Sequence, residues 1–210
     1  RIDREKALRI YLKALVMHVR ARPEIVAWQV ENEPFFPFGA CQPRERIDIA
    51  SEYDLIRGLD PYEPYHRKIT VTDSGELGTW LPPATVIDAI GFSVYRVTDD
   101  RLFGVRTYDW LPPWWYFRKM LVLRLFSGKD YYVSEFQMEP WVLTDMKTAT
   151  IEEMFKTFSI NRMRINHWQL KRIGFSHIDL WGAEWWYWMK IEKQHPEFWK
   201  EGKKIFAKTE

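Results

Sequence analysis

Five short apolar runs alternate with helical patterns along this chain, and that alternation limits the fold more than any other sequence feature. The runs lie at residues 25–30, 68–73, 89–95, 131–136 and 177–181. Parallel strands covered on both faces read as near-continuous apolar runs, and strand–helix alternation is typical of βα units. The sequence therefore predicts an α/β fold, either an open doubly wound sheet or part of a (β/α)8 barrel.

Helical patterns separate these runs. We predict helices from Asp3 onward, over 44–58 and 114–126, from a capping box at Thr150 to Glu153 onward, and over 196–207. Residues 34–43, which include Cys41, and residues 96–113 read as loops. The first helix and the long helix after Thr150 each have an expected apolar face: Leu8, Tyr11, Leu12, Leu15 and Val19 on the first, and Ile151, Met154, Phe155, Phe158, Ile165 and Trp168 on the second.

Composition excludes several classes of protein. A formal net charge of +2 without a basic block argues against a nucleic-acid binder. A single cysteine excludes an intrachain disulfide. The chain has no run of 18 apolar residues, so we predict no membrane span. Aromatic residues make up 17% of the chain, including 12 Trp. Such rings build cores and also stack on sugars, so composition favours a carbohydrate site only modestly.

The chain begins directly in a charged helix, without Met and without a signal peptide. We therefore expect a fragment of a longer protein, and an extracellular or cell-envelope location would require an upstream signal or anchor. No internal linker or repeat interrupts residues 1–210, which we interpret as a single domain.

Polar and aromatic residues follow the predicted strands where each one ends. Glu33 follows the first strand, Tyr95 closes the third, and Glu135 lies at the end of the fourth. In both candidate folds the chemistry lies at the carboxyl ends of the strands. Glycoside hydrolysis needs two carboxyl groups in different environments, so Glu33 and Glu135 are the candidate pair. Further candidate sugar-binding residues at strand ends are Asp73, Glu184 and Trp185.

Residues 28–34, Trp-Gln-Val-Glu-Asn-Glu-Pro, resemble the Asn-Glu-Pro motif of clan A glycoside hydrolases, which include the family 5 cellulases and mannanases. The resemblance implies that Glu33 closes strand four of a (β/α)8 barrel and is the acid/base. It implies that Asn32 binds the sugar 2-hydroxyl and that Glu135 is the strand-seven nucleophile. The chain would then carry strands four to eight, with strands one to three absent, as a catalytic-barrel fragment.

Two aromatic residues extend the resemblance. Tyr95 is similar to the strand-six residue that donates its hydroxyl to the nucleophile in this clan. Trp181 is similar to the strand-eight tryptophan under the sugar. Leu59-Asp60-Pro61, just before the predicted second strand, is also common in the clan.

Together these residues predict a retaining glycoside hydrolase that cleaves β-glycosidic bonds of an oligo- or polysaccharide by double displacement. The expected partner is a carbohydrate, with no metal and no organic cofactor, since the five His residues lack metal-ligand spacing. Two alternatives stay open: a non-catalytic carbohydrate-binding relative, and a transglycosylase that uses the same Glu pair.

Overall fold

The computed structural model of this protein describes residues 4–36, 45–61, 64–65, 67–100 and 102–207. Its helices are α1 (Arg4–Val19), α2 (Arg46–Leu59), α3 (Leu81–Ala84), α4 (Trp114–Ser127), α5 (Ile151–Thr157), α6 (Ile160–Leu170), α7 (Ala183–Glu192) and α8 (Glu197–Phe206). Its strands are β1 (Ala27–Gln29), β2 (Lys68–Ser74), β3 (Ala89–Val94), β4 (Val97–Asp100), β5 (Gly104–Thr107), β6 (Asp130–Gln137) and β7 (Ile178–Trp181).

The main sheet has five strands in the order β1-β2-β3-β6-β7. Strand β1 pairs in parallel with β2, with Trp28 opposite Ile69, and β6 pairs in parallel with β7. The order follows the chain without reversing, whereas a doubly wound sheet reverses at its switch point. The α/β prediction is confirmed, and the order favours the barrel-type alternative. The numbering of these strands as four to eight stays a prediction.

The chain forms two compact units, one of Arg1–Phe92 with Val122–Tyr132 and the other of Ser93–Leu121 with Val133–Glu210. Elements β3, α4 and β6 contribute residues to both units. The expectation of a single domain over residues 1–210 stays a prediction.

Two apolar clusters contribute to the core of the described part of the first unit. In one cluster α1, α2, β1 and β2 pack together, and in the other α2 packs on β2 and on the start of β3 with the residue before it. Burial of such side chains stabilises a fold by about 1.5–3 kcal/mol each. The clusters contain Leu12, Val16, Trp28, Ile56 and Ile69, and Ile49, Val71, Ile87 and Ile90.

A buried ion pair fixes the connection between α2 and β2. Arg67 is only 1% exposed, and its Nη1 donates to both carboxylate oxygens of Asp60, at 3.1 and 3.0 Å. The Trp28 indole donates to Asp60 Oδ2 at 2.7 Å. Arg67 also donates to the carbonyl oxygens of Arg20, Arg22 and Ile25. Because nearly every donor of the buried guanidinium is used, one side chain joins α1's end, β1's start and β2's start.

These contacts explain two corrections in the first unit. The strand predicted over 25–30 is only Ala27–Gln29, and Val26 is 79% exposed. The carbonyl of Ile25 is held by Arg67 and not by a neighbouring strand. On α1, Tyr11 and Leu15 are exposed, because the buried positions Leu12 and Val16 define the face, flanked by Leu8 and Val19. The predicted start at Asp3 lies outside the described residues.

The prediction of a loop over 96–113 is wrong for its first half, which forms the antiparallel hairpin β4–β5. Val97 pairs with Thr107 and Asp99 with Val105. Gly104 has a φ of 66° at the return of the hairpin, a conformation that glycine adopts at little cost. A buried Val97 anchors the hairpin, but a pattern of only four residues per strand is too short to stand out in the sequence.

The long helix predicted after Thr150 is two helices. Thr150 caps α5, as the capping box indicates, since its side chain accepts the Glu153 amide. Phe158 then adopts extended backbone, and Ser159 caps α6 by accepting the Arg162 amide. Thr157 Oγ1 bonds both the amide and the carbonyl of Trp141, which ties the end of α5 to the segment after β6. The break turns α6 relative to the predicted face, so Ile165 and Trp168 are exposed.

Two helices were not predicted. The four-residue α3 begins after Trp80, which is fully buried and stacks on Phe92 at 4.2 Å between ring centroids. Helix α7 contains the aromatic run after β7 and packs against α8, where Trp185 contacts Phe198 edge to face. The remaining predicted helices, at 44–58, 114–126 and 196–207, are confirmed as α2, α4 and α8 to within about two residues.

We expect Asp60→Asn to lower the free energy of unfolding by about 3–5 kcal/mol, because it leaves the Arg67 guanidinium buried without a counter-charge. Urea denaturation followed by tryptophan fluorescence measures this loss. Asp130→Asn is the matched control, since Asp130 pairs with Lys68 and Arg124 at the surface and should cost less than about 1 kcal/mol. Equal losses in the two variants would contradict the importance assigned to Asp60.

Candidate active site

In the first unit, Thr72 organises the turn that carries Asn32 and Glu33. Its hydroxyl accepts the Glu33 amide at 2.8 Å and donates to Asn32 Oδ1 at 2.7 Å. Thr72 is buried in β2, next to β1, so the pairing of these strands places the hydroxyl below the turn. Each hydrogen bond of this kind contributes about 1 kcal/mol. Sequence reasoning missed Thr72, since a Thr within a β-strand, where Thr70 also stands, gives no signal.

The backbone at Glu33 is unusual. Its φ is 47°, in the left-handed region that residues other than glycine rarely adopt. The Glu33 carbonyl accepts the Phe36 amide at 3.0 Å, which closes a turn over the buried Pro34. Left-handed backbone at a non-glycine residue costs free energy and is concentrated at functional sites. Among the described residues Trp80 and Gln194 share this conformation, so the backbone at Glu33 is compatible with a functional role but does not establish one.

Asp73, a predicted sugar-binding residue, is buried at the end of β2. Its Oδ1 accepts the Ser74 amide and its Oδ2 accepts the Trp80 amide, both at 2.8 Å. The Trp80 indole donates in turn to the Ser74 carbonyl. Both carboxylate oxygens thus close the loop between β2 and α3, which favours a structural role for Asp73.

In the second unit, the end of β6 carries an irregularity at Glu135. Val133 pairs with Ile178, but Phe136 pairs with Leu180, so β6 has one more residue than β7 between the two pairs. A β-bulge of this kind re-aims side chains and is frequent beside active sites. The bulge falls at Ser134 and Glu135.

Tyr95 donates its hydroxyl to Glu135 Oε2 at 2.8 Å, as the sequence resemblance implied. The Tyr95 ring packs edge-on against Trp141, with 5.2 Å between centroids. Burial raises the pKa of Glu135, and the Tyr95 hydroxyl partly offsets this effect by stabilising the carboxylate. The pKa of Glu135 is therefore raised by burial, and the Tyr95 hydroxyl lowers it by a smaller amount.

Gln137 fixes the backbone next to Tyr95. This fully buried side chain accepts the amides of Arg96 and Val97, both at 2.9 Å, and donates to the Val97 carbonyl at 2.7 Å. The main-chain carbonyl of Gln137 accepts a hydrogen bond from the side-chain amide of Asn166. Gln137 lies two residues after Glu135, so one strand end carries both the carboxylate and the group that positions its hydrogen-bond donor. Sequence reasoning missed Gln137.

Trp181 and Glu139 form a second pair at this edge. The Trp181 indole donates to Glu139 Oε1 at 2.8 Å, while the Trp181 carbonyl accepts the Met138 amide at 2.8 Å. Gly182 has a φ of 140° and lies so close to Met138 that a Cβ would be 2.6 Å from its carbonyl carbon. The close approach holds the Trp181 ring beside Glu139, with the residue 49% exposed to solvent.

Glu139 is a site residue that sequence reasoning missed. Burial raises its pKa, the Trp181 indole opposes this, and the charges of Glu184 and Glu135 raise it further. The sequence did contain a signal for Glu139, a Glu-Pro pair just past a strand end. Glu139 stands directly before Pro140, as Glu33 stands before Pro34. Glu184, a predicted sugar-binding residue, lies exposed in the first turn of α7.

Trp185, also predicted to bind sugar, is 3% exposed. Its indole donates to Met154 Sδ at 3.3 Å and its ring contacts Phe158 and Phe198 edge to face. The position favours a core role.

The structure brings Tyr95, Glu135, Trp181 and Glu184 to one region of the second unit, and Asn32 and Glu33 to one turn of the first. The pairing of Glu33 with Glu135 stays a prediction, and Cys41 lies outside the described residues. Within the described ranges, no group of three or more His, Cys, Asp or Glu side chains is arranged to hold a metal ion. No helix in that part of the chain has the length and apolar character to cross a membrane.

Comparison with solved structures gives two matches of interest. An FMN-binding β-glucuronidase from Faecalibacterium prausnitzii L2-6 superposes with a TM-score of 0.57 at 16% identity, over 85% of this chain and 26% of its own. A β-glucuronidase from Ruminococcus gnavus, solved in complex with D-glucuronic acid, has a TM-score of 0.50 at 11% identity, over 84% of this chain and 28% of its own. No protein-family model and no curated protein sequence matches the chain.

The chain thus shares its fold with part of two glycosidase structures. It spans about a quarter of their length, as the coverage of 26% and 28% shows. Identities this low show the fold alone. The resemblance to clan A and family 5 therefore stays a prediction.

We expect Tyr95→Phe to raise the pKa of Glu135, because the variant removes the hydrogen bond that favours the ionised carboxylate. The measurement is a carbon-13 NMR titration of glutamate side-chain carboxyl groups, with Glu135→Gln used to assign the Glu135 signal. Tyr187→Phe, at an exposed position on α7, is the matched control and should leave the titration unchanged. If Glu135 titrates identically in the parent, in Tyr95→Phe and in Tyr187→Phe, the assigned contact is contradicted.

Proposed function

We propose that this chain carries the acid/base and the nucleophile of a retaining glycoside hydrolase that acts on β-glycosidic bonds. Glu135 is the nucleophile and Glu33 the acid/base. The substrate is an oligo- or polysaccharide, and the chemistry uses the two carboxyl groups without a cofactor. Because the chain spans about a quarter of its structural neighbours' length, we assign the whole reaction to the complete protein.

The observation that carries the proposal is the hydrogen bond from Tyr95 to Glu135 at the bulged end of β6. A nucleophilic carboxylate has to be ionised, yet burial raises the pKa of Glu135. The Tyr95 hydroxyl opposes that rise and occupies one oxygen, Oε2, which leaves Oε1 to attack the anomeric carbon. A carboxylate tuned in this way, at the carboxyl end of a parallel strand, is the arrangement that covalent glycoside hydrolysis requires.

The strained turn at Glu33 supports the second half of the proposal. In the first step Glu33 donates its proton to the leaving glycosidic oxygen as Glu135 forms the glycosyl–enzyme bond. In the second step Glu33, now a carboxylate, takes a proton from water, which attacks the anomeric carbon and releases Glu135. Two displacements give net retention of configuration. Asn32, held by Thr72, binds the sugar 2-hydroxyl more tightly in the transition state.

The fold shared with β-glucuronidase structures supports the class of reaction. The finer assignment to clan A rests on the sequence motif alone. The aromatic face of Trp181 supports a carbohydrate ligand, because half-exposed indole rings stack on the C–H faces of sugars. A transglycosylase would use the same residues and differ only in the acceptor.

We expect the full-length protein to hydrolyse aryl β-glycosides, and Glu135→Ala to lower kcat by about 10³-fold or more. Azide should restore turnover of this variant and give the α-glycosyl azide, because a small anion replaces the missing nucleophile directly. In Glu33→Ala, azide should instead give the β-glycosyl azide, since attack then occurs on the covalent intermediate. Product configuration is read by proton NMR.

Glu152→Ala, an exposed acid on α5, is the control for loss of a carboxylate and should keep the parent's rate. Full activity in Glu135→Ala or an inverted hydrolysis product would contradict the proposal. Binding of a sugar without turnover would instead indicate a non-catalytic carbohydrate-binding protein, and products longer than the substrate would indicate a transglycosylase.

A further inference from the structure

Tyr95 and Arg96 lie between two strands. Strand β3 ends at Val94 and the β4–β5 hairpin begins at Val97, so sheet pairing does not extend to the residue that carries the phenol. The Tyr95 hydroxyl nevertheless reaches Glu135 Oε2 at 2.8 Å. Contacts other than a strand ladder therefore have to hold this segment.

The side chain of Arg96 supplies such contacts. The residue is only 1% exposed, and its guanidinium donates to the Tyr116 hydroxyl of α4 at 2.9 Å. It also donates to the main-chain carbonyls of Tyr108 and Leu111, at 2.6 and 2.8 Å. One planar group thus joins the residue after Tyr95 to α4 and to the turn that precedes this helix.

The main chain of Arg96 is held as well as its side chain. Its amide donates to Gln137 Oε1, and its carbonyl accepts the Tyr108 amide, both at 2.9 Å. Strand β6 carries Gln137 and also Glu135. The position of residue 96 is therefore set relative to the same strand that carries the carboxylate bound by Tyr95.

The guanidinium of Arg96 is surrounded mainly by neutral acceptors. Asp109 Oδ1 lies 3.8 Å from Arg96 Nη2, and this exposed carboxylate accepts shorter hydrogen bonds from Arg162 of α6, at 2.8 and 2.9 Å. Burial of a guanidinium is costly, and hydrogen bonds offset that cost only when their geometry is good. The contacts of Arg96 are thus directional ones, which suit a group that fixes an orientation.

We propose that Arg96 is a positioning residue, which holds Tyr95 in the orientation that lets its hydroxyl donate to Glu135. The inference rests on the proposed function, in which Glu135 is the nucleophile. Arg96 acts through Tyr95 and not on the substrate, because its guanidinium is buried against α4 and the turn at 108–111. The Trp141 ring, which meets the phenol edge-on, is a second support for the same orientation.

The first measurement is the pH profile of kcat/KM for the complete protein on an aryl β-glycoside. Arg96→Lys keeps the charge, but one ammonium group does not reach Tyr116 and both carbonyls at once. We expect this variant to release Tyr95, and the loss of its hydrogen bond then raises the pKa of Glu135. Because Glu135 has to be ionised to attack, the acidic limb of the profile should move to higher pH. The kcat should fall by about tenfold or more, with KM little changed.

A double variant separates positioning from a direct effect at Glu135. Tyr95→Phe already lacks the hydrogen bond, so adding Arg96→Lys to it should move the acidic limb no further. Arg67→Lys is the matched control, since Arg67 is also 1% exposed and also bonds main-chain carbonyls, but in the first unit. It should lower the melting temperature and leave the pH profile unchanged.

Tyr116→Phe is a milder variant, and it decides the question if Arg96→Lys does not fold. It removes one acceptor of the guanidinium and leaves the two carbonyls in place. The acidic limb should move in the same direction as in Arg96→Lys, by a smaller amount.

The outcomes distinguish this inference from the proposed function. A lower melting temperature with an unchanged acidic limb, in Arg96→Lys and in Tyr116→Phe, would overturn the inference and leave the function intact. A further shift in the double variant would also overturn it. If the parent hydrolyses no glycoside, the proposed function fails, and the carbon-13 titration of Glu135 in the same variants tests the inference. In that case a Glu135 titration that neither variant changes overturns it.

Discussion

The geometry of the second unit depends on the carboxamide of Gln137. The oxygen of this buried amide accepts the amides of Arg96 and Val97, and its nitrogen donates to the Val97 carbonyl. That contact fixes the chain directly after Tyr95, so the phenol hydroxyl reaches Glu135. It also fixes the start of the β4–β5 hairpin, while Asn166 from α6 binds the Gln137 carbonyl. Replacing this amide with an apolar side chain would leave several buried polar groups unpaired.

In the second unit, neutral donors bind the carboxylates of Glu135 and Glu139. Tyr95 serves Glu135 and Trp181 serves Glu139. A neutral donor stabilises the anion less than a guanidinium does, so burial still raises both pKa values. The contrast with Asp60, which is held by Arg67 in the core of the first unit, separates two uses of a buried carboxyl group. The Asp60 carboxylate anchors the fold, whereas Glu135 and Glu139 are carboxyl groups with raised pKa values at the end of β6.

Much of the architecture was predictable because strand and helix periodicity survive in a single sequence. The runs that became β2, β3 and β6 are long and apolar, and α2 and α8 have clear periodic patterns. The hairpin β4–β5 and the break between α5 and α6 were missed, since each depends on contacts with distant residues. Thr157, for example, bonds Trp141, which no local pattern at residues 150–170 reveals.

The sequence by itself determined the α/β class, the two strand-end acids Glu33 and Glu135, and the Tyr95 partner, because these follow from local patterns and a recognisable motif. Only the tertiary structure decided which carboxyl groups have a raised pKa and which are held by backbone amides in a structural role. Asp73 has both oxygens bound to backbone amides, whereas Glu139 shares one oxygen with Trp181. Burial and hydrogen-bond partners come from strand neighbours that lie far apart along the chain, and they set the charge of a carboxyl group as strongly as its identity does.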